Sequence, residues 1–129
     1  MAKGLFTEKN FKPLTTFMLG SMQSYRIKIT DVLYCPHHPE GTVAAYKKSC
    51  QCRKPESGLL LKVIKQHSYN CNHLALIGDK NSDIEAARKL GIKIYLVETG
   101  YGKSEKINTK ADYVVTDLKV AVYHKLRIT

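Results

Sequence analysis

Two short motifs with metal-binding side chains lie close together in the sequence. A C-x-H motif occupies residues 35–37 and a C-x-C motif occupies residues 50–52, with twelve residues between them. Thiolates and imidazoles are ligands that Zn²⁺ prefers, and four of them in two close pairs fit a tetrahedral ion. Because side chains would fill all four positions, the pattern predicts a structural zinc rather than one that activates water. The predicted ligands are Cys35, His37, Cys50 and Cys52.

Two alternatives compete with a zinc site on these four residues. A disulfide is the simplest alternative, but Cys50 and Cys52 are spaced too closely for an easy bridge. A chain in a reducing compartment would also keep its thiols reduced. His38 rivals His37 as the nitrogen ligand, and we favour His37 because C-x-H then mirrors C-x-C. Cys71 stands alone before an apolar run and is expected to pack as a small apolar residue.

A basic pair, Arg53-Lys54, follows the last predicted ligand directly. Arginine offers a planar fork to a phosphate and lysine a compact point charge. A metal-bound loop would hold both cations in place, so the position favours phosphate binding. The alternative is a solvated basic pair in front of a helix.

A third group of charged residues follows the apolar run "LALIG". Asp79 ends this run and Asp83 comes one helical turn later, a spacing that suits an oxygen-ligated ion such as Mg²⁺. Lys80 is placed to meet a substrate phosphate. An acid in the first turn of a helix is favoured by the helix dipole alone, so Asp83 is the weaker ligand candidate.

The chain alternates predicted helices and strands with short connections. This order predicts an α/β fold with right-handed crossovers and a parallel sheet covered by helices. Ligands of such sheets bind outside the carboxyl ends of the strands, which places "CPHHPEG", "GDKNSD" and "ETGYG" at one edge. The predicted helices are residues 7–18, 57–67, 82–90 and 117–126, and the predicted strands are residues 28–35, 73–78, 92–97 and 112–115.

Polar residues are expected to begin three of the helices. Thr7, Ser57 and Ser82 are candidate N-caps, and Glu85 three residues after Ser82 completes a capping box. Pro13 lies late for a first turn, so we expect it to kink or shorten the first helix.

Length and composition bound the class of protein. The 129 residues are predicted to form one domain, residues 1–129. No apolar run approaches the ~20 residues of a membrane helix, and the amino terminus lacks the apolar segment of a signal peptide. We therefore expect a cytoplasmic protein with no membrane partner. The net charge of +10 attracts polyanions, but the basic residues are scattered and no nucleic-acid partner is predicted.

The combined motifs resemble those of a known enzyme family. "CPHHPEG", C-x-C-R-K-P, the Gly-Asp pair and the following D-x-x-A-A are similar to those of the haloacid dehalogenase-like (HAD-like) phosphatases. The most similar group is that of the D-glycero-D-manno-heptose 1,7-bisphosphate 7-phosphatases and histidinol-phosphatases. The twelve-residue gap resembles the heptose-bisphosphate branch, and the similarity covers nearly all of the chain. "PESGLL" departs mildly from P-x-P-G-M in the family.

The resemblance implies specific roles. It implies structural zinc on the four predicted ligands and Mg²⁺ on Asp79. It further implies that Arg53 recognises a phosphorylated sugar, that Lys54 stabilises the transferring phosphoryl group, and that Lys80 lies near the substrate. The implied fold is a HAD-type, Rossmann-like parallel sheet with a zinc-binding loop.

Two family motifs are missing from this sequence. HAD-like phosphatases open with a strand that carries D-x-D, whose first aspartate attacks phosphorus, and a later strand supplies a serine or threonine for the phosphoryl group. The acids before Cys35 are Glu8 and Asp31, and "KGLFTEKN" resembles family sequence that follows both motifs. The predicted sheet is therefore incomplete, and we expect an N-terminally truncated domain.

Three functional hypotheses follow. The first is a sugar-phosphate phosphatase of the heptose-bisphosphate type that is inactive alone, so whether this chain is itself an enzyme is left open. The second is a non-catalytic phosphate-binding remnant, or a subunit completed by an amino-terminal fragment. The third is a basic zinc module for nucleic acid. It is the weakest, because the C-x-x-C pairs and aromatic platforms of such modules are lacking.

Overall fold

The computed structural model of the chain describes residues 1, 3–5 and 7–127. Contacts divide the chain into two units, Met1–Arg53 and Lys54–Thr129. The single domain expected from the sequence stays a prediction. Within the described residues, no helix has the length and apolar character needed to cross a membrane.

The second unit contains a three-stranded parallel sheet. Its strands are β1 (Ala75–Gly78), β2 (Lys93–Val97) and β3 (Tyr113–Val115), in the order β1-β2-β3. The register pairs Ala75 with Lys93 and Tyr95 with Tyr113. The helices of this unit are α2 (Gly58–His67), α3 (Asn81–Arg88), α4 (Gly102–Glu105) and α5 (Leu118–Leu126), with short 3₁₀ turns at Cys71–His73 and Lys106–Asn108.

Side chains of β2 alternate between the two faces of the sheet, as the period of two in a strand requires. Ile94 and Leu96 point to one face, where they pack with Ile84 of α3. Tyr95 and Val97 point to the other face, where α5 contributes a buried alanine. The sheet is therefore covered by helices on both faces, which confirms the predicted α/β fold class.

Two of the predicted caps in this unit are wrong in detail. Ser57 precedes α2 as expected, but its hydroxyl donates to the carbonyl of Ala86 at 2.7 Å and makes no capping bond. Ser57 is buried, so its hydroxyl bonds to a carbonyl of α3 and links α2 to α3. The helix α3 begins at Asn81, one residue before the predicted cap Ser82. The side chain of Asp83 accepts from the Lys80 amide instead.

The first unit contains one helix, α1 (Glu8–Ser24), among its described residues. Thr7 caps it as predicted, since its hydroxyl accepts from the amide of Asn10 while the side chain of Asn10 accepts from the amide of Thr7. The predicted end near Met18 is wrong, because the helix passes Pro13 without a break and continues to Ser24. A proline inside a helix removes one amide donor, and here the remaining turns still form. None of the α1 residues is buried.

The strand predicted at residues 28–35 does not form. Residues 28–35 have no regular secondary structure and pair with none of the described strands. An alternating sequence identifies chain that suits a strand, whereas a strand exists only when a neighbour completes its backbone hydrogen bonds.

Candidate metal centre and phosphate site

The two predicted half-sites come together in the first unit. The sulfur atoms of Cys35 and Cys52 lie 2.7 Å apart, and that of Cys50 lies 3.3 Å and 3.0 Å from them. His37 Nδ1 lies 3.8 Å from the sulfur of Cys35 and 3.7 Å from that of Cys52. All four donor atoms lie within 4.8 Å of one another. The five separations of 2.7–3.8 Å are each shorter than two zinc bonds of about 2.0–2.3 Å laid end to end, so the residues fit zinc.

Hydrogen bonds among the thiols separate the pKa of Cys50 from that of Cys52. Burial raises the pKa of the Cys50 thiol, but hydrogen bonds with Cys52, Cys35 and His37 outweigh burial and lower this pKa to about 6. Burial raises the pKa of Cys52, and its hydrogen bonds with the other two thiols raise it further, to about 12. A thiolate therefore forms at Cys50 before it forms at Cys52. A bound divalent cation favours thiolate at every coordinating sulfur.

The two neighbouring histidines have different environments. His37 presents Nδ1 to the thiols. His38 instead accepts a hydrogen bond at its own Nδ1 from the amide of Glu40, at 3.0 Å. The structure therefore brings together the set that includes His37 and leaves out its rival.

A carboxylate from α1 holds the segment that carries the cluster. Glu8 Oε1 accepts from the hydroxyl of Tyr34 at 3.0 Å, and Oε2 accepts from the hydroxyl of Tyr46 at 3.2 Å. The hydrogen bond to Glu8, together with burial, raises the pKa of Tyr34. Burial and then the same carboxylate raise the pKa of Tyr46. Both phenols thus remain protonated donors at neutral pH.

Arg53 closes the first unit. It is exposed and lines a cleft of about 330 Å³ together with Lys3, Tyr34 and His37. The cleft is open to solvent and carries two cations, so it can accept an anionic group.

Asp79 lies at the carboxyl end of β1, as the sequence predicts. Its Oδ2 accepts from the backbone amide of Tyr101 at 3.1 Å. Gly100 makes this approach possible: its φ is +62°, and a Cβ there would collide with the same oxygen. The loops "GDKNSD" and "ETGYG" therefore meet at one edge of the sheet. The placement of "CPHHPEG" at that edge stays a prediction.

The residues after Asp79 are held by the same neighbouring segment. Lys80 Nζ lies 4.0 Å from the centre of the Tyr101 ring, a cation–π contact. Asn81 donates its backbone amide to Glu105 Oε2 at 2.9 Å and its side-chain amide to the Glu105 carbonyl at 3.0 Å. Three consecutive residues at the carboxyl edge are thus fixed by residues 101–105.

Lys54 is bound by a buried acid. Its Nζ forms an ion pair with Asp83 Oδ1, while Asp83 Oδ2 accepts from the Lys80 amide. The Lys54 side chain is 51% exposed, whereas that of Asp83 is only 12% exposed. Gly78 allows Asp83 to come this close, since a Cβ there would lie 2.7 Å from it. Asp83 therefore orients Lys54, a role that its position in the sequence did not reveal.

These sites can be compared with known proteins. The HAD-hydrolase-like family matches residues 51–121, which is more than half of the chain. This chain belongs to the HAD-hydrolase-like family. The match includes Arg53, Lys54, Asp79 and Lys80, the residues that the sequence predicts to bind phosphate and magnesium.

Two HAD-like relatives come from the same strain of Photorhabdus laumondii. One is a D-glycero-beta-D-manno-heptose-1,7-bisphosphate 7-phosphatase, 40% identical over 114 residues, or 87% of this chain. The other carries the corresponding alpha-anomer name and is 38% identical over 106 residues, or 81% of this chain. The matched region is 58% of the length of each relative, so the chain spans little more than half of these proteins.

A solved structure shares the fold. The D,D-heptose 1,7-bisphosphate phosphatase from B. bronchiseptica, complexed with magnesium and phosphate, superposes with a TM-score of 0.86. The superposition covers 99% of this chain and 69% of that protein, with 23% sequence identity. This similarity confirms the HAD-like fold.

Three residues that hold groups of the candidate sites could not be identified from the sequence. Glu8, Tyr46 and Glu105 lie far in sequence from the groups that they hold. No spacing pattern links them to those groups. A short-range signal existed for Tyr101 alone, because glycines flank it in a loop that was expected at the carboxyl edge.

Proposed function

We propose that this chain forms the zinc- and phosphate-binding part of a sugar-phosphate phosphatase of the heptose 1,7-bisphosphate 7-phosphatase type. One observation supports this most directly: Lys54, Asp79 and Lys80 converge at the carboxyl end of β1 through Asp83 and Tyr101. They do so in a chain that is 38–40% identical to relatives of that name.

The proposed zinc has a structural role. Its ligands would be Cys35, His37, Cys50 and Cys52. Four side-chain ligands fill a tetrahedral site, so no position would be open for water or substrate. Zinc, when bound, would cross-link residues 35–52 and hold them in one conformation. Arg53 follows the last ligand directly, so an ordered loop would also order the backbone of Arg53, the residue predicted to recognise the anionic substrate.

The proposed phosphate site has one carboxylate and two lysines. Asp79 would hold Mg²⁺, which usually takes one or two carboxylates together with waters and substrate phosphate. The Tyr101 amide donates to Oδ2 and so orients the carboxylate that would hold the ion. Magnesium, when bound, neutralises phosphoryl charge. Lys54, oriented by Asp83, and Lys80 supply further positive charge to the phosphoryl oxygens.

We also propose that this chain alone does not hydrolyse the phosphate ester. In the family an aspartate of D-x-D is the nucleophile, and no D-x-D occurs in this sequence. An amino-terminal segment that carries D-x-D would complete the enzyme. A chain without such a partner would retain the second function predicted from the sequence, the binding of a phosphorylated sugar.

The test combines binding and turnover. Calorimetry with heptose 1,7-bisphosphate and Mg²⁺ should show binding, and Lys54→Ala should weaken it about tenfold or more, because a charge-assisted contact is lost. Lys62→Ala is the matched control, since Lys62 is an exposed lysine of α2. Both anomers should be used, because the relatives are named for both. Equal affinities for wild type and Lys54→Ala would contradict the proposed site.

Phosphate release should be undetectable for the chain alone. It should become measurable when a family segment with D-x-D is supplied in trans. Turnover by the chain alone that is lost on Asp79→Asn would overturn the proposal that it is inactive. Salt-sensitive binding to nucleic acid, with no binding of the sugar phosphate, would favour a different class of function.

A further inference from the structure

One acidic side chain joins the two arms of the metal-binding segment (residues 35–52). The first arm carries Cys35 and His37, and the second runs from Tyr46 to Cys52. Tyr34 immediately precedes Cys35, and Tyr46 lies between the two half-sites. Each tyrosine donates its hydroxyl to a different oxygen of Glu8, at 3.0 Å and 3.2 Å. Glu8 therefore uses its whole carboxylate to join the entry of the segment to its middle.

The two tyrosines are themselves firmly placed. The Tyr34 ring packs on Phe11 of α1 with 4.3 Å between ring centres. The carbonyl of Tyr46 accepts from the amide of His38 at 3.0 Å, next to the ligand His37. A shift of either phenol would therefore move backbone that carries the predicted ligands.

We infer that Glu8 is a positioning residue for the metal centre, which holds the two arms of the segment so that the thiols and the imidazole converge before an ion binds. This inference rests on the zinc site of the proposed function. Glu8 is not a ligand, since the cluster of donor atoms contains no carboxylate.

The physical reason is pre-organisation. Residues 35–52 contain no helix or strand, so the two half-sites would otherwise sample many separations. Fixing a flexible segment in its bound conformation improves affinity by lowering the ordering cost at the moment of binding. An acid in the first turn of a helix is favoured by the dipole whatever else it contacts. The dipole does not explain why both oxygens meet tyrosines from the metal-binding segment.

The test is the zinc affinity of the full chain, measured by competition with a chromogenic chelator. Glu8→Ala should weaken zinc binding by about 10-fold to 100-fold, the range found for residues that orient metal ligands. Tyr46→Phe removes one oxygen atom and should weaken it in the same direction by a smaller factor. Glu40→Gln is the matched control, because Glu40 is an exposed acid of the same segment, and its affinity should equal that of wild type.

Two further measurements separate positioning from a general loss of structure. Far-UV circular dichroism should show that Tyr46→Phe keeps the helix content of wild type. The double variant Glu8→Ala/Tyr46→Phe should bind zinc as Glu8→Ala does, because the two changes remove one shared contact. Unchanged affinity in Glu8→Ala, or an equal loss in Glu40→Gln, would overturn the inference while leaving the zinc site in place. A wild-type chain that binds no zinc would refute the metal site, and the inference with it.

Discussion

The metal-binding segment and the carboxyl edge of the sheet are built in different ways. The four predicted zinc ligands come from one stretch, residues 35–52, that contains no helix or strand. The proposed phosphate site draws on Lys54, on residues 79–83 and on residues 100–105, which parallel strands bring together. The spacing of residues along the chain is enough to predict the first site, whereas the second site depends on which strands become neighbours in the sheet.

The two regions also differ in what stabilises them. In the second unit, Ile84 and Leu96 are at most 1% exposed and lie in a core on one face of the sheet. In the first unit, α1 buries none of its residues, and Leu14 and Phe17 are 63% and 74% exposed. We therefore expect the first unit to depend on its metal and on hydrogen bonds, and the second on apolar packing.

The largest effect should follow loss of the metal. Denatured wild-type protein should release about one zinc per chain, and Cys52→Ser should release none. Structural zinc contributes apparent binding free energies of about 10–16 kcal/mol in small metal-dependent folds. Hydrogen exchange should then show loss of protection in residues 35–52 and little change in β2.

Cys71→Ala serves as the control for this variant. Cys71 lies against the core of the second unit and outside the metal cluster, so its removal should leave the zinc content unchanged. A metal-free protein with the full stability of wild type would contradict the contrast between the two units.

The second effect compares the same substitution in the two regions. Leu96→Ala should lower the free energy of unfolding by about 2–5 kcal/mol, because it removes a fully buried side chain. Leu14→Ala should change it by less than about 0.5 kcal/mol, since most of Leu14 faces water. Urea unfolding followed by circular dichroism measures both. A loss at Leu14 as large as that at Leu96 would show that α1 belongs to a buried core.

A pair of glycines tests the geometry of the carboxyl edge. Gly100 and Gly91 have similar φ values of +62° and +67°, so alanine at either should cost about 1–2 kcal/mol of stability. A Cβ at Gly100 collides with Asp79, whereas a Cβ at Gly91 meets nothing within 4 Å. Only Gly100→Ala should therefore weaken Mg²⁺-dependent binding of the sugar phosphate, measured by calorimetry. Equal binding by both variants would mean that the orientation of Asp79 does not matter.

The smallest effect concerns alkaline pH in the second unit. Burial raises the pKa of Tyr95 above its ordinary value, and the nearby Tyr113 and Asp112 raise it further. The stability that protonated Tyr95 contributes should be complete below about pH 10 and lost as the pH rises through the folded-state pKa. Tyr95→Phe should therefore flatten the alkaline fall in unfolding free energy. An unchanged alkaline fall in Tyr95→Phe would contradict this prediction.

Local sequence predicted much of the second unit. The apolar run ending at Gly78 and the run ending at Val97 form β1 and β2, because continuous apolar segments of that length suit a buried parallel strand. Asp117 begins α5 and accepts from the amide of Val120, as a short polar side chain before a helix does. Ser57 shows the limit of local prediction, since the same hydroxyl could cap α2 or bind the carbonyl of Ala86. It binds Ala86 because the tertiary packing brings the two residues together.

For the candidate sites, the sequence by itself determined the chemistry. The ligand types and spacing at residues 35–37 and 50–52, and the acid at the end of the strand before Lys80, follow from residue identity and local period. Tertiary structure decided the partners: His37 rather than His38 faces the thiols, Asp83 binds Lys54, and Tyr101 holds Asp79. The spacing of C-x-H already favoured His37, whereas the contacts of Asp83 with Lys54 and of Tyr101 with Asp79 join residues whose separation along the chain carries no signal, because they form only after strands and helices have packed.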